Sequence, residues 1–152
     1  MLSRKAKYSI KALIALSKNG GNPPMHISQI SLQEKIPRKY LEVILLELRN
    51  GGYLHSKKGT AGGYTLSKPA EEIYLDGVVR LMDGAVAQIH CASTYHYHKC
   101  DECPVEATCA IRDLYLEVRA ADLKILSGTS IADMVAKEKI LAKNLLNGAS
   151  VN

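Results

Sequence analysis

Glycine and proline cut the first fifty residues into three segments of helical apolar spacing, and two glycine-bounded extended segments follow. That order restricts the fold more than any other feature of the chain. Ser3 opens the first segment as a cap, and Ala6, Ile10, Leu13, Ile14 and Leu16 form its apolar stripe. Asn19-Gly20-Gly21-Asn22-Pro23-Pro24 ends it. A short second helix is expected after Ser28, with Ile30 turned inward and Ile36 closing it. Pro37 suits the first turn of a third helix, whose buried stripe is Leu41, Ile44, Leu45 and Leu48. Gly51-Gly52 stops that helix. Tyr53–Lys58 and Gly63–Ser67, separated by Gly59-Thr60-Ala61-Gly62, then read as a hairpin. Three helices followed by a glycine-tipped hairpin describe a winged helix-turn-helix.

Beyond Pro69 the spacing predicts a helix over about Leu75–Met82, stopped by Asp83-Gly84. Residues 88–108 have no clean period and read as loop. From about Glu106 to Leu126, Ile111, Leu114, Tyr115, Val118, Ala121 and Ile125 repeat at a spacing that suits packing on the same helix of a second subunit. Gly128 ends this stretch, and Ser130 with Asp133 forms a capping box for a last helix. The expected fold is mainly α: a winged helix-turn-helix with a two-stranded β wing and a long C-terminal dimerisation helix. Its expected parts are a DNA-binding domain over 1–83, a cysteine-rich loop over 84–108, and the dimerisation and C-terminal helices over 109–152.

Charge divides the chain along the same lines. The 152 residues carry net +5, but residues 1–68 hold 12 Lys/Arg against 3 Asp/Glu while residues 69–152 hold 8 against 12. The first part is therefore +9 and the second −4, which points the basic part at a polyanion. With no Phe or Trp, the core is left to Leu, Ile, Val and Ala. No uncharged apolar run approaches the ~20 residues that span a bilayer, and the N-terminus lacks a signal-peptide apolar stretch. A cytoplasmic protein without a membrane partner is expected.

On the third helix, the face opposite the buried stripe shows Arg38, Lys39, Glu42, Val43 and Leu46. Arg38 and Lys39 lie at the N-terminus, the end that enters a major groove, and Tyr40 can bond a phosphate or a base edge. Glu42 repels phosphate, so on a DNA-facing helix it reads as an acceptor for a cytosine amino group. The hairpin brings His55, Lys57, Lys58 and the backbone N–H groups around Gly62 and Gly63 toward the flanking backbone or minor groove. Lys5, Lys7 and Lys11 add phosphate contacts. A charge run alone would describe a solvated face. Together with the helix spacing, Pro37 and the wing it indicates double-stranded DNA. RNA fits less well, because no aromatic-bearing strand offers a stacking platform.

All four cysteines fall at 91, 100, 103 and 109. In a reducing compartment such a cluster suits a metal or redox site more than structural disulfides. Four thiolates can close a site on zinc or on an iron–sulfur cluster. Zinc usually takes two close pairs, whereas only Cys100 and Cys103 are closely paired here, so the uneven spacing favours a cluster. His90, His96 and His98 are possible substitutes. Cys100-Asp-Glu-Cys103 also has the spacing of a thiol–disulfide enzyme, but the βαβ context of one is missing. No other motif looks catalytic, and no enzyme is expected.

Leu2-Ser3-Arg4-Lys5-Ala6-Lys7-Tyr8, Ile36-Pro37-Arg38-Lys39-Tyr40-Leu41-Glu42 and Leu45-Leu46-Glu47-Leu48-Arg49 resemble the Rrf2 family of bacterial transcription regulators. So do Gly59-Thr60-Ala61-Gly62-Gly63-Tyr64 and Thr129-Ser130-Ile131-Ala132-Asp133. The resemblance runs through nearly the whole chain. It implies a homodimer on a pseudo-palindromic operator, joined through the long helix, with an iron–sulfur cluster in the preceding loop. Family members sense cluster supply, iron, nitric oxide, redox state or cysteine status. Cys91, Cys103 and Cys109 match the family's three cysteines, while Cys100 is extra and the first gap is longer than usual. In one subgroup a His follows the last cysteine by three residues, where this chain has Arg112. Another borrows a carboxylate near the partner's N-terminus, yet Ser3–Lys18 contains no Asp or Glu. The resemblance thus implies Cys100 as fourth ligand, with three cysteines and a His as the other possibility. It leaves [2Fe–2S] and [4Fe–4S] both open.

Overall fold

The computed structural model describes residues 2–147; the expected end of the last segment, 148–152, lies outside the described residues. Its helices are α1 (Arg4–Asn19), α2 (Ile27–Glu34), α3 (Arg38–Asn50), α4 (Leu75–Asp83), α5 (Ala110–Ser127) and α6 (Ile131–Leu146). Strands β1 (Leu54–Lys57) and β2 (Gly63–Leu66) form the antiparallel wing between α3 and α4, with His55 opposite Thr65 and Lys57 opposite Gly63. The winged helix-turn-helix is thus present, in the expected order.

Ser3 caps α1, accepting from the Ala6 N–H at 3.0 Å. Gly20 ends the helix with φ +72°, a conformation that costs a residue with a Cβ. Leu13, Ile14 and Leu16 pack against Leu41, Ile44, Leu45 and Leu48, so both predicted stripes meet in one core. Two local expectations are corrected. His26, not Ser28, caps α2: its ring accepts from the Ser28 N–H, while Gln29 accepts from the His26 N–H at 2.8 Å. Helical geometry therefore starts one residue before Ser28. Pro37 stands just outside α3 as its N-cap, so Arg38 becomes the first helical residue.

The second half differs more. Glu106–Thr108 is a separate 3₁₀ turn, and α5 begins only at Ala110, just before its first periodic apolar residue, Ile111. The cysteine segment is otherwise loop, with one further 3₁₀ turn at His90–Ala92. At the far end of α5 the chain turns at Gly128 and ties back to the start of α4. Leu75 N–H donates to Thr129 at 3.0 Å, and Ile131 N–H donates to Ile73 at 2.8 Å. The Ser130–Asp133 capping box forms as expected. Helix α6 then returns along α1, with fully buried Ile131 joining the core and Lys18 ion-paired to Glu138. Helix α6 thus packs on the winged-helix body through α1. No residue of α5 is buried within the chain.

Candidate DNA-binding face and cysteine cavity

The solvent side of α3 carries Arg38, Lys39, Tyr40, Glu42, Val43 and Leu46, all exposed, while its four-residue stripe is sealed in the core. Glu42 has a partner that its spacing from Arg38 explains. The Arg38 Nε donates to Glu42 Oε1 at 3.2 Å, an i,i+4 pair that orients the guanidinium at the helix start. Such an exposed pair contributes only ~0.3–0.5 kcal/mol, so it yields readily to a stronger ligand. Lys5 is held by Glu47 at 2.7 Å and Lys11 by Glu34 at 3.2 Å, whereas Lys7 points outward without an ion-pair partner among the described residues.

On the wing, His55, Lys57 and Lys58 are exposed. Gly62 and Gly63 lie inside the hairpin. The Gly62 N–H donates to Gly59 at 2.9 Å, and a Cβ on Gly63 would stand 2.6 Å from the Met25 carbonyl. Their place in the sequence therefore reflects close backbone approach. Beside the wing lie His26 and Arg49, which together with Ser56 and Lys57 line a groove of about 340 Å³. Neither was expected there. Arg49 follows the buried Leu48 and signals only a helix end, and a histidine cap has no strong sequence signature.

The four cysteines are free thiols, and all line one cavity of about 400 Å³ at the N-terminal end of α5. His90, His98, Lys99 and Arg112 share its wall; His96 does not. Cys100 and Cys103 stand on one tight turn, the Cys103 N–H donating to Cys100 at 3.2 Å. Arg112 reaches back from α5 and donates to the Cys91 carbonyl at 3.1 Å. Among the described residues, no three His, Cys, Asp or Glu side chains are gathered as around a single ion.

The thiols differ in acidity. Cys109 is the N-cap of α5, and the Arg112 N–H above all, followed by the Cys103 thiol and the Ile111 N–H, lowers its pKa below the ordinary thiol value. Burial raises Cys103, and its contact with Cys109 adds to the rise. Cys100 is raised because its S–H is donated to the Glu102 carboxylate at 3.2 Å. At pH 7 Cys109 therefore carries the larger thiolate fraction. In reduced, metal-free protein, iodoacetamide is expected to label Cys109 several-fold faster than Cys100, although Cys100 is the more exposed. The preference should shrink at alkaline pH, once the raised Cys100 thiol ionises as well. Peptide mapping at short times reads this, and first labelling at Cys100 contradicts it.

Residues 2–137 match the Rrf2 family, described as iron-dependent transcriptional regulators. The chain belongs to the Rrf2 family. It is 34% identical to the rrf2-like HTH-type regulator of Rhodobacter capsulatus over 148 residues, covering 95% of this chain and 99% of that one. It is 32% identical to the regulator IscR of Cereibacter sphaeroides over 91 residues, 59% of each chain. The fold is similar to that of CymR, the global cysteine regulator of B. subtilis, with TM-score 0.74 and 26% identity over 90% of this chain and 97% of CymR. As an Rrf2 protein the chain is a DNA-binding transcriptional regulator and not an enzyme, so Cys100-Asp-Glu-Cys103 is not the active site of one. No described helix is long and apolar enough to cross a membrane.

Proposed function

We propose that this Rrf2 protein binds a pseudo-palindromic DNA operator as a homodimer and that an iron–sulfur cluster held by Cys91, Cys100, Cys103 and Cys109 switches that binding. The observation carrying this reading is that all four thiols wall one cavity directly before α5. Sulfurs spread around a cavity suit a group whose iron atoms hold its ligands apart. Such a group would supply a redox- and iron-responsive centre. Arg112 and Lys99 would offset the charge of four thiolates, and His98 is the alternative donor should Cys100 stand aside. A cluster would be held by Cys109, the cap of α5, and by Cys91, whose carbonyl Arg112 grips, so a change at the sulfurs would reach α5 by two routes.

At the DNA, Arg38, Lys39, Tyr40, Glu42 and Val43 face the major groove. His55, Lys57 and Lys58 of the wing, with Lys7, contact the flanking phosphates. Lys5 can join them by exchanging Glu47 for a phosphate. Val43, 54% exposed, offers an apolar surface to a thymine methyl group. A second reading keeps DNA binding but assigns sensing to bare thiols. The contact between the Cys103 thiol and the more acidic Cys109 favours it.

Protein purified without oxygen is expected to be brown and to contain iron and acid-labile sulfide. It should bind a duplex selected from a random library with an affinity at least ~10-fold different from that of the cluster-free form. Equal affinity of the two forms rejects the switch. A colourless, iron-free protein whose binding still changes on thiol oxidation establishes the second reading.

A further inference from the structure

A second, smaller cavity of about 110 Å³ lies away from the cysteines, between α4, the segment that follows it, and α5. Arg80 of α4 and Arg119 of α5 both line it. Arg119 donates to the Ala92 carbonyl at 3.0 Å and to the Thr94 hydroxyl, both neutral acceptors, and none of the ion pairs among the described residues includes it. Arg80 lies 5.3 Å from the centroid of Tyr95, another residue of the lining, and its one carboxylate partner is Asp76 at 3.4 Å. Its Nε is buried and has no hydrogen-bond partner among the described residues. Asp76 thus answers Arg80 alone, Arg119 has no carboxylate partner among the described residues, and one buried donor is left over.

A buried donor without an acceptor is costly, and a guanidinium is matched best by the paired oxygens of a carboxylate, sulfate or phosphate group. The volume holds a few water molecules or one anion of about five heavy atoms. We propose that this cavity binds a small oxyanion between Arg80 and Arg119. Its occupant would join α4 to α5 across the Ser93–Tyr95 segment, a joint distinct from the cysteine cavity. The proposal does not depend on the cluster reading, and its test uses cluster-free protein without DNA.

Thermal unfolding is measured while sodium sulfate or sodium acetate replaces sodium chloride at constant ionic strength. A saturable rise in Tm of about 3 °C with either salt is expected. The response to acetate marks a carboxylate ligand, and the response to sulfate marks a phosphate- or sulfate-like one. Arg119→Lys keeps the charge but loses the paired donors, and should weaken the response. Because Arg119 also holds the loop, Ala85→Leu provides a second variant that fills the cavity and leaves both arginines in place. It should abolish the response. Equal Tm in all three salts, or an undiminished rise in Ala85→Leu, overturns the proposal, the latter placing the anions elsewhere, such as on the wing.

Discussion

The double substitution Leu114→Asp with Ile125→Asp is expected to yield a monomer and to lower affinity for a two-half-site operator by about 10²–10⁴. Helix α5 exposes Ile111, Leu114 and Ile125 at 65%, 57% and 66%, an apolar load that an isolated chain leaves in water. With Val118 and Ala121 between them, these residues step by three and four, the seam of two packed helices. Two carboxylates per chain, spaced along the stripe, would be too costly to bury in a helix–helix seam. Loss of one linked recognition helix turns a two-site encounter into independent half-site binding, which accounts for the size of the effect. Both positions are solvent-facing within the chain, so the winged-helix body should keep its Tm within a few degrees. Sedimentation and DNA titration at one fixed salt concentration provide the test. A variant that stays dimeric and binds the full operator normally removes α5 as the joining element.

Cys103→Ser is expected to leave anaerobically reconstituted protein colourless, with iron and sulfide reduced at least ~10-fold. The serine hydroxyl does not ionise near neutral pH and binds iron poorly, so the ligand set drops to three. Cys103 lies on the same turn as Cys100 and against Cys109, so no neighbouring thiol can replace it without moving the others. Cys100→Ser separates the two proposed ligand sets. The colour is lost if Cys100 is a ligand, whereas it survives if His98 takes that place. Retention of the full spectrum and iron content by Cys103→Ser would exclude the four-thiol site. DNA affinity in the same variant should equal that of the cluster-free parent, which separates a defect in sensing from one in folding.

The winged-helix body was legible because its signals are local. Leu41, Ile44, Leu45 and Leu48 can share a face only in a helix, and all four are buried. Glu42 shows where local reading falls short. Its expected role is to accept from a cytosine amino group, and the structure adds an ion pair with Arg38 one turn earlier that a residue-by-residue reading does not show. The glycines at 62 and 63 read as part of the wing, with backbone N–H groups for DNA, and only the fold shows their close approach to Lys57 and Met25. Cysteine clustering points to one shared site, since a short loop keeps its side chains near one another, and all four thiols line one cavity. Which histidines join them depends on how that loop is folded, and His96 turned elsewhere. Arg80 and Arg119 were not legible at all. They stand on separate helices and meet only through tertiary packing.

The anchoring of α5 has a mechanical consequence. Backbone hydrogen bonds at Thr129 and Ile131 tie its C-terminal corner to the start of α4. Nearer its cysteine end, Arg112 and the mid-helix Arg119 bind the preceding loop through their side chains. Under the proposed switch the helix would act as a lever with its fulcrum beside the winged-helix body. Eighteen residues make an arm of about 27 Å. A displacement of ~2 Å at the Cys109 end then rotates the arm by only about 4°. Leverage of this kind exchanges distance for force, so rearrangement at the sulfurs would act on the spacing of two heads as a small, stiff rotation.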